Sequence, residues 1–566
     1  MNILPDWLSH YRRSALAGDL TAGIIVTVML IPQSLAYALL AGLPPEMGLY
    51  ASILPIVAYA LFGSSMTLAV GPVAVASLMT ASALQPLAAA GSAHYISLAI
   101  TLSLLSGGML LLFGLLRLGF LAHFLSHPVI SGFISGSAVL IAVGQLKHLL
   151  GVSASGHSAL DTLLSLARHL PDVNTVTLAI GASSLLFLWA ARKYLARLLL
   201  ALGLSAKLAD VLGKLAPMLA VVVSTAVVAW WRLDSTAGVS VVGAVPQGLP
   251  ALALPSLQGV GVLLLPALLI SLVGFVESVS VAQSLALKRQ QRINPNRELL
   301  GLGAANIASA FSGGFPVTGG FARSVVNFAA GANTPLAGVV SAVLMGAVIA
   351  AMTGLFHYLP HAVLAATIII AVTSLIDLET LREAWHYDKA DAVSLLATAA
   401  GVIAFGVEAG IVLGVALSLG TLVWRSSHPH IAVVGRVPGT EHFRNVERHA
   451  VDTEPGLIAL RVDEGLYFAN ASLLQDRIEA LVAAQPETRQ VLLVCSAVNL
   501  VDTTALGVLT ELERSLHARG IAFALSEVKG PVMDRLQATP LGQRLQGRIF
   551  LSTHEAFSQA QQRTDG

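Results

Sequence analysis

Charge is scarce in this sequence. Among 566 residues, Lys and Arg number 32 and Asp and Glu 31, together 11% of the chain. Soluble domains carry about 25%. The net charge of +1 offers no bulk attraction to nucleic acid, and no nucleic-acid partner is expected. Cysteine is nearly absent. Cys495 stands alone, which excludes an internal disulfide framework. No zinc, nucleotide-binding or nucleophile constellation occurs, so no metal, no catalytic residue and no enzyme activity are expected. No cleavable signal is expected, because "MNILPDWLSHYRRSALAGDL" reads as polar and partly amphipathic.

Apolar residues are abundant instead. They make up 55% of the chain, and the mean hydropathy is +0.77. That combination predicts a polytopic α-helical membrane protein. The stretches 20–45, 47–116, 118–146, 235–276 and 299–376, uncharged but for Arg323, hold most of about ten to fourteen expected spans. After "TLVWRSSHPH" the composition turns to that of a soluble domain. The expected division is a transmembrane transport domain over 1–425, a linker over 426–439 and a soluble domain over 440–566.

Basic residues set the expected orientation. Arg12 and Arg13 precede the first span, and Arg425 follows the last. Arg192, Lys193, Arg197, Lys207 and Lys214 form one basic loop; Lys288, Arg289, Arg292 and Arg297 form another. The positive-inside rule puts all of these in the cytoplasm, together with the N-terminus and the soluble domain.

Two membrane segments read as interrupted: "TLAVGPVAVASLMTASAL" and "PVTGGFARSVVNFAAGANTP". Each has an extended lead, then Gly71-Pro72 or Gly319-Gly320, then a short run fit for a helix. Such breaks survive at membrane depth only around a protein-lined or wet cavity. Paired breaks in two halves of a transporter mark its binding site, where each half-helix points a partial positive charge. Ordinary glycine-rich turns between spans are the plainer alternative.

Arg323 is the one formal charge in 299–376. A charge at the bilayer centre costs about 2.5–3.5 kcal/mol. Near the start of a half-helix it also opposes the helix dipole. An anion in front of it would explain it; snorkelling to an interface is the alternative. Glu277 is equally alone between residues 234 and 288. It shares a helical face with Gly274, Ser280, Val281 and Ser284. It is a candidate for proton or sodium coupling, or for a structural ion pair with Arg323. Gln33 and Tyr37 lie four apart on the first span, beside Pro32, and either bind a ligand or join helices.

At this point the residues match a family. "GDLTAGIIVTVMLIPQSLAYALLAGLPPEMGLYAS", "AVGPVAVASLM", "HPVISGFISGSA" and "GGFPVTGGFARSVVN" resemble the sulfate permease (SulP) family, which includes prestin and the animal anion exchangers. The resemblance spans about residues 12–560. It implies fourteen spans as two inverted repeats of seven, with a core domain that moves against a gate domain in elevator-like alternating access. It also implies a central anion site where the third and tenth spans meet as half-helices. Family positions that line this site correspond to Gln33, Tyr37, Val73, Ala74, Phe321, Ala322 and Arg323. Ala322 stands where several animal members carry serine, so one hydroxyl is absent.

The soluble domain reads as α/β alternation. "GLIALRVDEGLYFANASLLQDRIEALVAA" suggests strand, turn, strand, helix; "RQVLLVCSAVNLVDTTALGVLTELERSLHARG" suggests buried strand, loop, helix. It resembles a STAS domain, the module shared with bacterial anti-sigma-factor antagonists. Thr503 in "VDTTALG" matches the position phosphorylated there, and is a candidate regulatory phosphosite. Alternatively Asp502 or Thr503 caps the next helix.

The combined expectation is a secondary active transporter of the bacterial inner membrane. Its substrate would be a small anion such as sulfate, bicarbonate or a dicarboxylate. Symport with a proton or sodium ion is expected, with no other cofactor. Membrane lipid, a second copy in a homodimer and a cytoplasmic protein for the STAS domain are the expected partners. An anion exchanger, an uncoupled anion channel, a nucleobase–cation symporter of the same fold and an anion sensor signalling through the STAS domain are the alternatives.

Overall fold

Apolar runs this long have no water to bond their backbone in a bilayer, so they close their own hydrogen bonds as helices. In the computed structural model, residues 6–9, 11–123, 126–154, 156, 158–205, 209, 212–213, 215–256 and 259–564 are described. Lys207 and Lys214 of the expected basic loop lie outside the described residues. The chain divides into two compact units, Met1–Ser418 and Leu419–Gly566.

The first unit opens with α1 (Leu16–Leu40), which contains Pro32, and α2 (Leu54–Phe62). Next come the two-residue strand β1 (Val70–Gly71), the short α3 (Ala74–Leu84) and α4 (Ala93–Leu115). Then follow α5 (His127–Leu150), α6 (Thr175–Ala190) and α7 (Ala216–Trp231). The order of long helix, strand and short helix then recurs: α8 (Val260–Leu287), α9 (Pro295–Phe311), β2 (Thr318–Gly319) and α10 (Phe321–Ala329). The last helices are α11 (Leu336–Ala351), α12 (His361–Thr373), α13 (Lys389–Phe405) and α14 (Val407–Ser427), which begins in the first unit and continues past its end at Ser418.

Among the described residues, eight helices are long and apolar enough to cross a membrane. Span counting by length misses the half-helices, because α3 has 11 residues and α10 has 9 where a crossing needs about 20.

The helices pack in two groups. In one, α9 lies against α4 and α2, α11 against α1, and α8 against α4. In the other, α5 lies against α13 and α12, and α12 against α6. This is the division into core and gate. Two buried carboxylates fasten the core group. Asp19, fully buried in the first turn of α1, accepts from Asn333 N at 2.6 Å, Thr334 N at 3.0 Å and Thr334 Oγ1 at 2.7 Å. Glu298, fully buried at the start of α9, accepts from Tyr59 Oη at 2.7 Å, Ser64 Oγ at 2.6 Å, Ser64 N at 2.8 Å and Ser65 N at 2.9 Å. Buried charge is tolerated where every lone pair finds a donor.

The second unit is a six-stranded sheet in the order β4-β3-β5-β6-β7-β8. Its strands are β3 (Ile431–Arg436), β4 (Phe443–Asn445), β5 (Leu457–Val462), β6 (Gln490–Val494), β7 (Ala522–Ser526) and β8 (Ile549–Phe550). From β5 to β8 the pairing is parallel, while β3 runs antiparallel to both neighbours. Central β6 is buried at every residue, which is why it reads as an unbroken apolar run. Helices α15 (Ala471–Ala484) and α16 (Thr503–Ala518) pack together, with Leu474, Ile478, Leu509 and Leu512 in the core.

Two expectations change here. The stretch 426–439 contains β3, paired in the sheet, where a linker was expected. The strand expected after Val462 is a single bridge, Leu466 to Val501. Cys495 is buried in this core, and burial pushes its thiol up to about 12.

Candidate functional site

The two interrupted segments meet. β1 and β2 pair antiparallel, Val70 opposite Gly319 and Gly71 opposite Thr318. Gly320 N donates to Ala69 O at 3.1 Å. Side chains fix the crossing from every side. Ser324 Oγ accepts from Ala69 N at 2.9 Å and donates to Gly320 O at 2.7 Å. Asn327 Nδ2 donates to Thr67 O at 2.9 Å. Ser278 Oγ accepts from Gly319 N at 2.9 Å and lies 2.7 Å from Thr318 Oγ1. Asn306 bonds both backbone groups of Val317, at 2.8 and 2.9 Å. Irregular backbone at this depth therefore has partners.

Each half-helix begins at the crossing. Val73 is the N-cap of α3 and Gly320 that of α10, and neither helix has a side-chain cap. Uncapped N-termini keep their orphan N–H groups and partial positive charge for something else.

Arg323 sits in the first turn of α10, only 3% exposed. Snorkelling is therefore excluded. Nε, Nη1 and Nη2 are all buried without a hydrogen-bond partner among the described residues. The guanidinium lies against β1: a Cβ on Gly71 would stand 3.3 Å from Nη1, and one on Gly320 would stand 3.1 Å from Nη2. Gly71 also has φ +153, a conformation left to glycine. A cavity of about 20 Å³ beside Arg323 is lined by Tyr59, Val70 and Asn327. It also touches Leu30 of α1, Ile56 of α2 and Ser341 of α11, and its volume matches the roughly 10–15 Å³ that one water needs.

Tyr37, 8% exposed, and Glu277, also 8%, lie within electrostatic reach of Arg323 and of each other. Glu277 and Arg323 form no salt bridge, and Glu277 Oε2 is buried without a hydrogen-bond partner among the described residues. The carboxylate borders a small cavity between α8 and the gate helices, lined by Phe133, Thr398 and Ile411. Val73 and Ala74 are buried at the start of α3. Gln33 is half-buried one turn before Tyr37 on α1, while Phe321, 49% exposed, and Ala322 form an open lip before Arg323.

The polar stripe on α8 differs from the expected one. Ser280 and Ser284 are exposed, and Ser280 Oγ donates to Val276 O at 2.8 Å on its own helix. Ser278 does the work at the crossing. In the second unit, Asp502 caps α16 by accepting from Ala505 N at 2.7 Å. Thr503 is the first residue of that helix and is exposed.

A buried unpartnered cation between two uncapped half-helices, inside a bundle of core and gate helices, defines a membrane transporter rather than an enzyme. Comparison with known proteins makes this specific. Residues 16–398 match the sulfate permease family and residues 449–556 the STAS domain. The chain belongs to the sulfate permease family. It is 37% identical over 534 residues to "Sulfate transporter 4.1, chloroplastic" of Arabidopsis thaliana, covering 92% of this chain and 76% of that one. It is 36% identical to a probable sulfate transporter of Mycobacterium tuberculosis, covering 96% and 95%. Murine Slc26a9, an anion transporter solved in the inward-facing state, shares the fold with a TM-score of 0.90 at 21% identity, over 99% of this chain and 94% of that one. The transmembrane domain of the cyanobacterial bicarbonate transporter BicA aligns with a TM-score of 0.60 at 26% identity, over 72% and 98%.

Proposed function

We propose that this chain is a secondary active transporter of a small oxyanion, sulfate first, in a bacterial inner membrane. Arg323 carries the reading: it is 3% exposed, and none of its guanidinium nitrogens has a hydrogen-bond partner among the described residues. A buried cation without a counterpart is strongly destabilising, and an oxyanion supplies the missing charge and acceptors together. Two uncapped helix N-termini add to the same field. Gln33, Tyr37, Val73, Ala74, Phe321 and Ala322 line the site around it. Curated relatives named as sulfate transporters favour sulfate; BicA makes bicarbonate the second reading.

Glu277 couples the anion to a proton or a sodium ion. Ionised, it repels the anion and resists sliding against the apolar gate surface. Neutralised, it permits both. The core group then carries the site past the gate group. Arg12 and Arg13 before α1 and Arg425 near the end of α14 favour a cytoplasmic N-terminus and STAS domain. The STAS domain regulates or pairs two copies, with Thr503 as its phosphorylated residue.

The test is radiolabelled sulfate uptake into proteoliposomes, with pH and sodium gradients imposed separately and bicarbonate, chloride, a dicarboxylate and uracil as competitors. Gradient-driven sulfate accumulation is expected. Sulfate binding without flux makes the protein a sensor, gradient-independent flux makes it an exchanger or channel, and uracil uptake makes it a nucleobase carrier.

A further inference from the structure

The far end of α5 holds a charge that the Arg323 site does not use. Lys147 lies in the last turn of α5. A lysine there complements the negative end of the helix dipole, ordinarily from solvent. Lys147 instead is half-buried and lines a cavity of about 120 Å³, well above the roughly 10–15 Å³ that one water needs. Its ammonium makes no hydrogen bond or ion pair with the described residues, and no carboxylate lines the cavity. Gln145, 5% exposed, also lines it with its amide unbonded. Ser82 and Gln85 enter from α3, and His148 packs edge-on against His361 with ring centroids 5.9 Å apart. Ser82, Gln85, Gln145 and Lys147 each bring at least one hydrogen-bond donor to this lining, and among its described residues the one fixed charge is positive.

The cavity is joined to the Arg323 site by one helix face. Ala74, Ser77, Leu78, Ala81 and Ser82 of α3 and its C-cap Gln85 recur at helical spacing. The stripe begins at the uncapped N-terminus beside Arg323 and ends in the cavity. Among the described residues the Ser77 hydroxyl on it is buried without a hydrogen-bond partner, and so is that of Ser137 on α5. Resting on the anion-carrier reading, we propose that Lys147, Gln145 and Ser82 form a second site for a small oxyanion, a halting place one helix length from Arg323 on the way out of the bundle.

The experiment uses the full chain in proteoliposomes with Gln85→Cys as reporter and N-ethylmaleimide as the neutral label. The native Cys495 is buried, with its thiol pushed up to about 12, and labels slowly. At constant ionic strength, sulfate in place of gluconate is expected to slow labelling by roughly fivefold, the scale of one partly exposed charge contact. The slowing should persist when Arg323→Ala is added, vanish with Lys147→Gln and return with Lys147→Arg. Where Lys147→Gln lowers the yield of folded protein, Lys147→Met carries the same comparison. Slowing that survives Lys147→Gln but not Arg323→Ala puts the anion at Arg323 alone, and overturns the second site while sparing the carrier reading. Loss in both backgrounds makes one joint site and overturns a separate one. Equal labelling with and without sulfate in every background also overturns it, and wild-type sulfate uptake then judges the carrier reading by itself.

Discussion

Asn306 treats Val317 as a neighbouring strand would. Its amide donates to Val317 O at 2.8 Å and accepts from Val317 N at 2.9 Å. This one side chain completes the backbone bonding of the lead into β2. Asn306→Leu keeps similar bulk and strands both backbone groups in a buried place, at about 1–3 kcal/mol each. The expected outcome is a lower melting temperature and a large loss of sulfate binding per folded molecule. Unchanged melting and binding in Asn306→Leu would show that the crossing stands without it.

Arg323→Ala removes the fixed cation but none of the crossing bonds. Insertion and folding should be retained. Loss of a charge-assisted contact of about 1.5–3 kcal/mol weakens anion affinity roughly ten- to a hundredfold. Isothermal titration with sulfate on the purified protein checks this, and wild-type affinity would refute the assignment.

Glu277→Gln mimics the neutral carboxyl at constant size. Anion binding and exchange should survive, while acceleration by an inward proton or sodium gradient disappears. By linkage the anion and the coupling ion strengthen each other, and about 1–3 kcal/mol of coupling changes affinity roughly 5- to 150-fold. Full gradient-driven accumulation in the variant makes Glu277 structural.

Truncation after Ser427 removes the sheet domain and leaves α14 whole. Uptake per folded molecule should remain measurable at an altered rate. Folded truncated protein that binds sulfate but never moves it would make the STAS domain part of the transport machine.

Acid should loosen the STAS domain at Asp463. Burial alone raises this carboxyl, yet hydrogen bonds from Arg461 at 2.6 Å and His430 at 2.9 Å hold it below its ordinary value. A depressed folded value stabilises above the unfolded pKa of about 3.9 and loses that contribution as pH falls through the folded value. Asp463→Asn should lower stability by less than about 1 kcal/mol at neutral pH, as surface pairs do, and flatten the melting profile below about pH 4. An acid limb as steep as the wild type's would count against this pair.

The half-helices and Arg323 were legible because glycine pairs and a lone charge stand out in an uncharged run. The residues that hold them were not. Ser278, Asn306, Ser324 and Asn327 are common polar residues whose partners lie far away in sequence or on backbone, so spacing says nothing of them. Asp19 and Glu298 lie at the edges of uncharged runs, near Arg12, Arg13 and Arg297, where carboxylates read as solvated ends; both are fully buried. Arg289 read as a topology signal only. It stacks over Phe328 at 4.4 Å and donates to Ala332 O at 2.5 Å, closing the end of α10. In the STAS domain the alternation of strand and helix was plain, but β3 hid in a Pro- and His-flanked stretch that reads as linker.

The crossing of β1 and β2 also has a history in time. Val70 and Gly319 are partners, separated by 319 − 70 = 249 positions. At about 5–20 residues per second, the ribosome delivers the second strand roughly 12–50 s after the first. Through that interval β1 has no strand to pair with, and its glycine-rich backbone waits inside a half-made bundle. The chain becomes whole at this point only when its later half arrives, so a nascent protein halted before residue 318 lacks the partner of β1.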